Sequence, residues 1–164
     1  LSQEIPSNDF VLSVGNNGVD KEVLSMAIMK NPDIKFVVVG LRDFHLIADN
    51  LTSLSRISDE ELLKLYYNCR LFIRPMRFAT ANNSVLEAMS MNKAVFISTN
   101  TGEYDYFDEE IDDLHIVKTV DFVNILPKLF IRYGSYLDNN EIRKYTIDKL
   151  SWSSIFKNTE VYYK

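Results

Sequence analysis

The chain has 164 residues, of which 46% are apolar and 25% are charged. This composition is typical of a globular protein, and the length suits one domain with a sizeable core. The formal charge of −5 argues against a nucleic-acid surface, which needs clustered Lys and Arg. The cations Arg70, Arg74 and Arg77 are too few for such a tract, so a small anion is a better candidate ligand than a polymer.

The single cysteine, Cys69, excludes an intrachain disulfide and favours a reducing, cytosolic setting. The sequence contains no signal-peptide core and no apolar run of membrane-spanning length. The first residue is Leu1 rather than Met, so we interpret residues 1–164 as a single domain taken from a longer protein.

Short apolar runs alternate with helical patterns along the chain. In chain order, the patterns predict a strand at Phe10–Val14, a helix at Asp20–Lys30, strands at Lys35–Val39 and Asn50–Ile57, a helix at Ser58–Cys69, a strand at Leu71–Arg74, a helix at Ser84–Met91, strands at Ala94–Ser98 and Leu114–Val117, and helices at Asp121–Gly134, at Asp138–Leu150 and, last, after the segment "SWSSIF" that ends at Phe156.

Two local patterns carry most of this prediction. The run at Lys35–Val39 is apolar on both faces, which is typical of a strand buried in a parallel sheet. Ser58 and Glu61 have the spacing of a capping box at a helix start. Alternating strands and helices predict an α/β, Rossmann-like fold, a parallel sheet sandwiched by helices. Ligands of such sheets bind beyond the carboxyl ends of the strands.

Small and polar residues collect at those carboxyl ends. The first predicted strand is followed by Gly15 in the loop "GNNG", and Lys21 comes six residues later. The helix predicted from Ser84 has free N–H groups and a positive dipole end at the same edge, which suits a diphosphate. We therefore predict a site there that includes Arg77 and Glu87, with the Cα atoms of Lys21 and Glu87 on the same face of the sheet.

Six segments in order resemble the C-terminal half of a family 4 glycosyltransferase of the GT-B fold. These segments are "VLSVG" with the following lysine, "KFVVVG", "SDEELLKLYYNCRLFIRP", "TANNSVLEAMSMNKAVFIST", "TGEYDYF" and "LSWSSIF" with "VYY". The resemblance implies a Rossmann-like domain that binds a nucleotide-diphosphate sugar. It also implies an acceptor site in an N-terminal half, so that the isolated domain would not turn over.

The resemblance assigns donor-binding roles around the first loop. It implies that Gly15 and Asn16 lie in the loop beside the diphosphate, that Lys21 is a diphosphate ligand and that Arg77 is a second cation. Asn16 stands where the family usually has an arginine, and Arg77 is expected to compensate for that loss of charge.

The resemblance also assigns the segment around the helix start. It implies that amides at Thr80, Asn82, Asn83 and Ser84 face the phosphates and the donor sugar. Glu87 corresponds to the second of two glutamates in a family motif and would hold the ribose hydroxyls. The first glutamate of that motif is replaced by Ala79, and the catalytic residues stay unknown.

The remaining implications of the resemblance concern the nucleotide base, the type of reaction and the cellular location. Arg56 and Ile57 match the loop that contacts the base. The implied reaction is a retaining transfer, of the hexosyltransferase type, that needs no metal and no cofactor besides the donor. No Asp-x-Asp occurs at a predicted strand end. We expect a cytoplasmic protein in polysaccharide or glycolipid biosynthesis, with any membrane contact made peripherally by the missing half.

Two other interpretations stay open. Asn16 and Ala79 are compatible with a non-catalytic, glycosyltransferase-like scaffold or partner domain. A different α/β binding module, flavodoxin-like or response-regulator-like, is the third interpretation, although "SVGNNG" lacks the acidic pocket of a regulator.

Overall fold

The computed structural model describes residues 9–78, 83–99, 111, 113–133, 140–151 and 153. The elements in chain order are β1 (Phe10–Val14), α1 (Lys21–Lys30), β2 (Lys35–Val39), β3 (Leu51–Leu54), α2 (Asp59–Asn68), β4 (Leu71–Pro75), α3 (Asn83–Ser90), β5 (Ala94–Thr99), β6 (Leu114–Lys118), α4 (Thr119–Arg132) and α5 (Glu141–Leu150). The strands form a six-stranded sheet in the order β3-β2-β1-β4-β5-β6, and every neighbouring pair is parallel.

The sheet is covered by helices on both faces. Alternate residues of each central strand point to opposite faces, so the core divides into two clusters. One cluster packs β-residues against α1 and α4, and the other packs them against α2, α3 and α5. All five residues of β1 and of β4 are buried, as expected for central strands of a sheet covered on both faces.

The helix starts follow the predicted polar patterns. Asp20 caps α1, where its Oδ1 accepts a hydrogen bond from the backbone N–H of Val23 at 3.1 Å. The capping box of α2 is confirmed: the Ser58 hydroxyl accepts from the Glu61 N–H at 3.2 Å, and Glu61 Oε2 accepts from the Ser58 N–H at 2.8 Å. The Val23 and Glu61 N–H groups, which lack an intrahelical acceptor, are thus bonded by the cap side chains.

The α/β, Rossmann-like architecture is confirmed, and the boundaries of most elements differ from the prediction by three residues or fewer. The polar strand shortens to β3, and the helix predicted from Ser84 begins at Asn83. Pro127 lies inside α4, as expected. Within the described part of the chain, no helix is both long enough and apolar enough to cross a bilayer.

The strand order reverses direction between β1 and β4. From β1 the chain crosses through α1 to β2 on one side, and from β4 it crosses through α3 to β5 on the other. Parallel crossovers share one hand, so oppositely directed connections place their helices on opposite faces. The expectation that Lys21 and Glu87 share a face is therefore wrong: α1 and α3 pack on opposite faces. Their N-termini flank the switch point, where ligands of open α/β sheets bind.

Candidate functional site

The loops that follow β1 and β4 are joined at the carboxyl edge of the sheet. The Asp20 N–H donates to the Pro75 carbonyl at 2.9 Å, and the Arg77 N–H donates to the Gly18 carbonyl at 2.9 Å. These bonds connect the two loops on either side of the switch point. The structure thus brings the "GNNG" loop and the backbone of Arg77 together.

Gly15 adopts a backbone conformation that excludes most side chains. Its φ is +97°, and its N–H donates to the Val39 carbonyl at 2.8 Å. A Cβ atom at this position would lie 3.1 Å from Nη1 of Arg74, closer than ordinary contact. The glycine therefore permits both the turn and the close approach of a guanidinium.

Arg74 is a buried cation beneath this loop, with only 2% of its surface exposed. Its guanidinium donates to the Val14 carbonyl, and its Nη2 donates to the Asn17 carbonyl at 2.8 Å. Sequence reasoning noted this arginine but gave it no role. The available signal was its position inside the apolar strand "LFIRP", where a charged side chain has to be paired or hydrogen-bonded.

Asn16 and Lys21 connect the first loop to the loop after β2. The Arg42 N–H donates to Asn16 Oδ1 at 2.9 Å. The Lys21 ammonium lies 3.4 Å from the Asp43 carbonyl oxygen, a long contact that leaves it at the carboxyl edge. Three neighbouring loops, after β2, β1 and β4, are therefore joined by polar contacts.

Arg77 is engaged in a different way from the one expected. Its guanidinium donates to the Glu22 carboxylate, and both side chains are exposed. The hydrogen bond from Arg77 holds the pKa of the Glu22 carboxyl below its usual value. The cation expected to compensate for Asn16 is thus partly neutralised on the surface, whereas Arg74 lies directly under the loop.

The start of α3 contributes the second part of the site. Asn83 is exposed at its first residue, and the side chain of Ser84 is buried. The Ser84 Oγ makes no hydrogen bond to the residues that the structure describes. Thr80 and Asn82, the other two predicted residues of this segment, lie outside the described residues.

Glu87 lies on the second turn of α3 and is exposed to solvent. Its Oε2 accepts a hydrogen bond from the hydroxyl of Tyr66 on α2 at 2.7 Å. Burial raises the pKa of Tyr66, the Glu87 carboxylate raises it further, and the positive charge of Arg74 acts in the opposite direction. The Glu87 carboxylate on α3 is thus held by a hydrogen bond from a side chain of α2.

Arg56 and Ile57 lie beyond β3, farther along the same edge. Arg56 is exposed in a left-handed conformation, with φ +58°. Ile57 packs against the core cluster that contains α2 and α3. The structure therefore gives Ile57 a packing role and leaves the Arg56 guanidinium at the surface.

The residues near the switch point divide by chemistry into two groups. Cations and backbone N–H groups surround the first loop and the start of α3, and such groups bind phosphate oxygens. The Glu87 carboxylate accepts hydrogen bonds only, and it suits ligand hydroxyls. An anionic ligand that also carries hydroxyl groups is complementary to this arrangement.

Solved structures with similar folds are glycosyltransferases and related synthases. Sucrose-phosphate synthase from Thermosynechococcus elongatus superposes with a TM-score of 0.73 and 16% identity, over 96% of this chain and 46% of that chain. The catalytic domain of starch synthase IV from Arabidopsis thaliana, bound to ADP and acarbose, gives 0.58 and 16%, over 98% and 38%. The catalytic domain of cholesterol-α-glucosyltransferase from Helicobacter pylori gives 0.56 and 16%, over 86% and 99%.

The chain spans less than half the length of the first two proteins. No curated protein sequence matches it significantly. The family model described as "Glycosyl transferases group 1" matches residues 12–128, which include most of β1, the first loop, β4 and α3. The chain therefore belongs to the group 1 glycosyl transferases, with the α/β fold of GT-B enzymes.

Proposed function

We propose that this chain is the donor-binding, C-terminal half of a family 4 GT-B glycosyltransferase. It binds a nucleotide-diphosphate sugar at the carboxyl edge between the β1 and β4 loops. The reaction is a retaining, metal-independent hexosyl transfer to an acceptor that is bound by an N-terminal domain of the same protein. The chain alone binds the donor without turnover, and the protein works in the cytoplasm.

The geometry at the switch point carries this proposal. The glycine loop lies over the buried Arg74 guanidinium. The start of α3 lies at the same edge, and the Ser84 hydroxyl there makes no hydrogen bond to any residue that the structure describes. Glu87 is held by a hydrogen bond of 2.7 Å from the Tyr66 hydroxyl. A nucleoside diphosphate supplies both the negative charge and the vicinal hydroxyls that these groups require. The structurally similar starch synthase holds ADP, which supports the same ligand class.

The chemical role of this half is to stabilise the leaving group. When the sugar departs, negative charge develops on the diphosphate. Lys21, the backbone N–H groups of the first loop and the positive end of α3 are preorganised donors for that charge. Arg74 keeps the loop in place through its two carbonyl contacts. The Glu87 carboxylate accepts the ribose hydroxyls and fixes the nucleotide.

A non-catalytic member of the family is the second candidate. Arg77 is paired with Glu22, and the Asn16 side chain is occupied by the Arg42 N–H. The loop therefore has less free positive charge than the resemblance implied. A scaffold of this kind would bind a nucleotide, but the full-length protein would not consume a nucleotide sugar in the presence of acceptors.

Calorimetric titration of the chain with UDP, GDP and ADP tests the donor site. We expect one of them to bind, and we expect Glu87→Ala to weaken it by about 10- to 100-fold, since one charge-assisted hydrogen bond contributes roughly 1.5–3 kcal/mol. Glu60→Ala is the matched control, because Glu60 is an exposed helical carboxylate on α2 that forms an ion pair with Lys64. Absence of binding by the parent chain, or equal affinities of the Glu87 variant and the parent, would contradict the proposal.

A further inference from the structure

The hydroxyl of Tyr66 is fixed by the packing around its ring. Tyr66 has 3% of its surface exposed, and its ring lies 5.9 Å from that of Phe72, measured between centroids. The residue belongs to the core cluster between the sheet and helices α2, α3 and α5. A ring held in a close-packed core has one accessible rotamer, so the position of its oxygen is determined by the fold.

The phenol proton has two acceptors within reach, both on α3. Glu87 Oε2 is at 2.7 Å and the Ser84 carbonyl oxygen is at 3.3 Å. The carboxylate is closer and charged, so it receives the stronger hydrogen bond. Because the pKa of Tyr66 is raised, the phenol stays protonated and remains a donor at physiological pH.

This bond has a consequence for ligand binding. An exposed glutamate samples many rotamers, and ordering it on binding lowers affinity. Tyr66 orders Glu87 before the ligand arrives and uses only one of its oxygens. The carboxylate has acceptor sites to spare, so Oε1 and a second lone pair stay available for ligand hydroxyls.

We propose that Tyr66 is a positioning residue that acts through Glu87, and that it determines how strongly the site prefers ribose over sugars without vicinal hydroxyls. The proposal rests on the donor site described above. Tyr66 does not touch the ligand itself; it keeps Glu87 in the rotamer that meets the 2′ and 3′ hydroxyls.

The test compares Tyr66→Phe with Tyr67→Phe, the same chemical change one residue later on α2. Tyr67 is 52% exposed, and its ring does not belong to the core cluster of Tyr66. The ligands are UDP, GDP or ADP, whichever binds the parent chain, and its 2′,3′-dideoxy analogue. We expect Tyr66→Phe to weaken the ribonucleotide about 3- to 10-fold and to leave the dideoxy analogue unchanged, which corresponds to loss of part of one hydrogen bond. Tyr67→Phe should change neither.

A role limited to packing predicts a different result. Tyr66→Phe would then lower both affinities equally, or neither, and either outcome would overturn the proposal. A double-mutant comparison adds a second measurement: in a Glu87→Ala background, Tyr66→Phe should have no further effect on ribonucleotide affinity. A further loss there would also refute it.

If the donor-site proposal is wrong, the same measurements give a result that differs from failure of the Tyr66 proposal alone. If the parent chain binds no nucleotide, or binds the ribonucleotide and the dideoxy analogue equally, Glu87 does not hold ribose and both proposals fall. The other case is a parent chain that binds the ribonucleotide more tightly than the dideoxy analogue. If Glu87→Ala abolishes this preference for the ribonucleotide while Tyr66→Phe preserves it, only the positioning role of Tyr66 is refuted.

Discussion

Alanine substitution of two structurally matched glycines tests the contact between the first loop and Arg74. Gly15 and Gly40 each follow a strand, with φ of +97° and +70°. Their N–H groups donate to neighbouring strands at 2.8 and 2.9 Å. A Cβ at Gly15 would lie 3.1 Å from the Arg74 guanidinium, whereas a Cβ at Gly40 would meet nothing within 4 Å. Only one of the two substitutions therefore disturbs the candidate site.

The expected magnitudes follow from this difference. A left-handed conformation costs an alanine about 1–2 kcal/mol, and the smaller entropy of the unfolded chain returns about 0.4–1 kcal/mol. Gly40→Ala should therefore destabilise the chain by about 0–1.6 kcal/mol. Gly15→Ala also displaces the guanidinium and weakens a charge-assisted bond of roughly 1.5–3 kcal/mol. The total loss of stability caused by Gly15→Ala should be about 2–4 kcal/mol.

Urea denaturation of both variants measures the loss of stability, and nucleotide titration measures the effect on the site. We expect Gly15→Ala alone to weaken nucleotide binding. In an Arg74→Met background, the extra loss of stability from Gly15→Ala should disappear, since the clashing group is absent. Equal destabilisation by the two substitutions in the natural background would refute the role assigned to the Gly15–Arg74 contact.

Three further predictions concern residues away from the loop. Ser58→Ala removes the cap of α2 and should lower stability by about 0.5–2 kcal/mol in a urea melt, with nucleotide affinity unchanged. Cys69 is fully buried, and burial raises the pKa of its thiol to about 12. A thiol reagent should therefore label Cys69 only when the chain unfolds. Rapid labelling of the native chain would contradict this packing. Burial lowers the pKa of Lys93, so the folded state disfavours the charged form of this side chain. The stability of the fold should therefore rise with pH between the lowered pKa and the usual value of 10.5. When stability is measured against pH for the parent and for Lys93→Met, the variant should lack this rise.

The strands were predictable because a buried strand is a short run of apolar residues, which can be recognised in the sequence. Runs such as Lys35–Val39 are apolar on both faces, and only a strand covered on both sides buries both. The capping box at Ser58 was predictable for a related reason, since both partners lie within four residues. Local chemistry decides these features, so a single sequence carries them.

The connections within the site depend on strand order, which local patterns do not contain. The placement of Lys21 and Glu87 on opposite faces follows from the reversal between β1 and β4, and the same-face expectation was wrong for that reason. The hydrogen bond between Tyr66 and Glu87 joins residues that are 21 positions apart and lie on two different helices. Its acceptor was identified through the family resemblance, but its donor needed the structure.

The bonding partners of Arg74 also depend on the fold and could not be identified from the sequence. A charged residue within a buried strand signals that a partner exists, but not which one. The partners are the backbone carbonyls of Val14, at the end of β1, and of Asn17 in the following loop, 60 and 57 residues earlier in the chain. Sequence reasoning therefore assigned the missing charge to Arg77, which the structure pairs with Glu22.

The most direct test of the donor site is to locate the bound nucleotide on the protein. Backbone amide chemical shifts of the ¹⁵N-labelled chain, recorded during titration with UDP, GDP and ADP, identify the contacted residues. We expect the largest changes at residues 15–18 and 83–87, on the two sides of the switch point. Changes confined to the amino edge of the sheet, around residues 31–34 and 91–93, or no change with any of the three nucleotides, would contradict it.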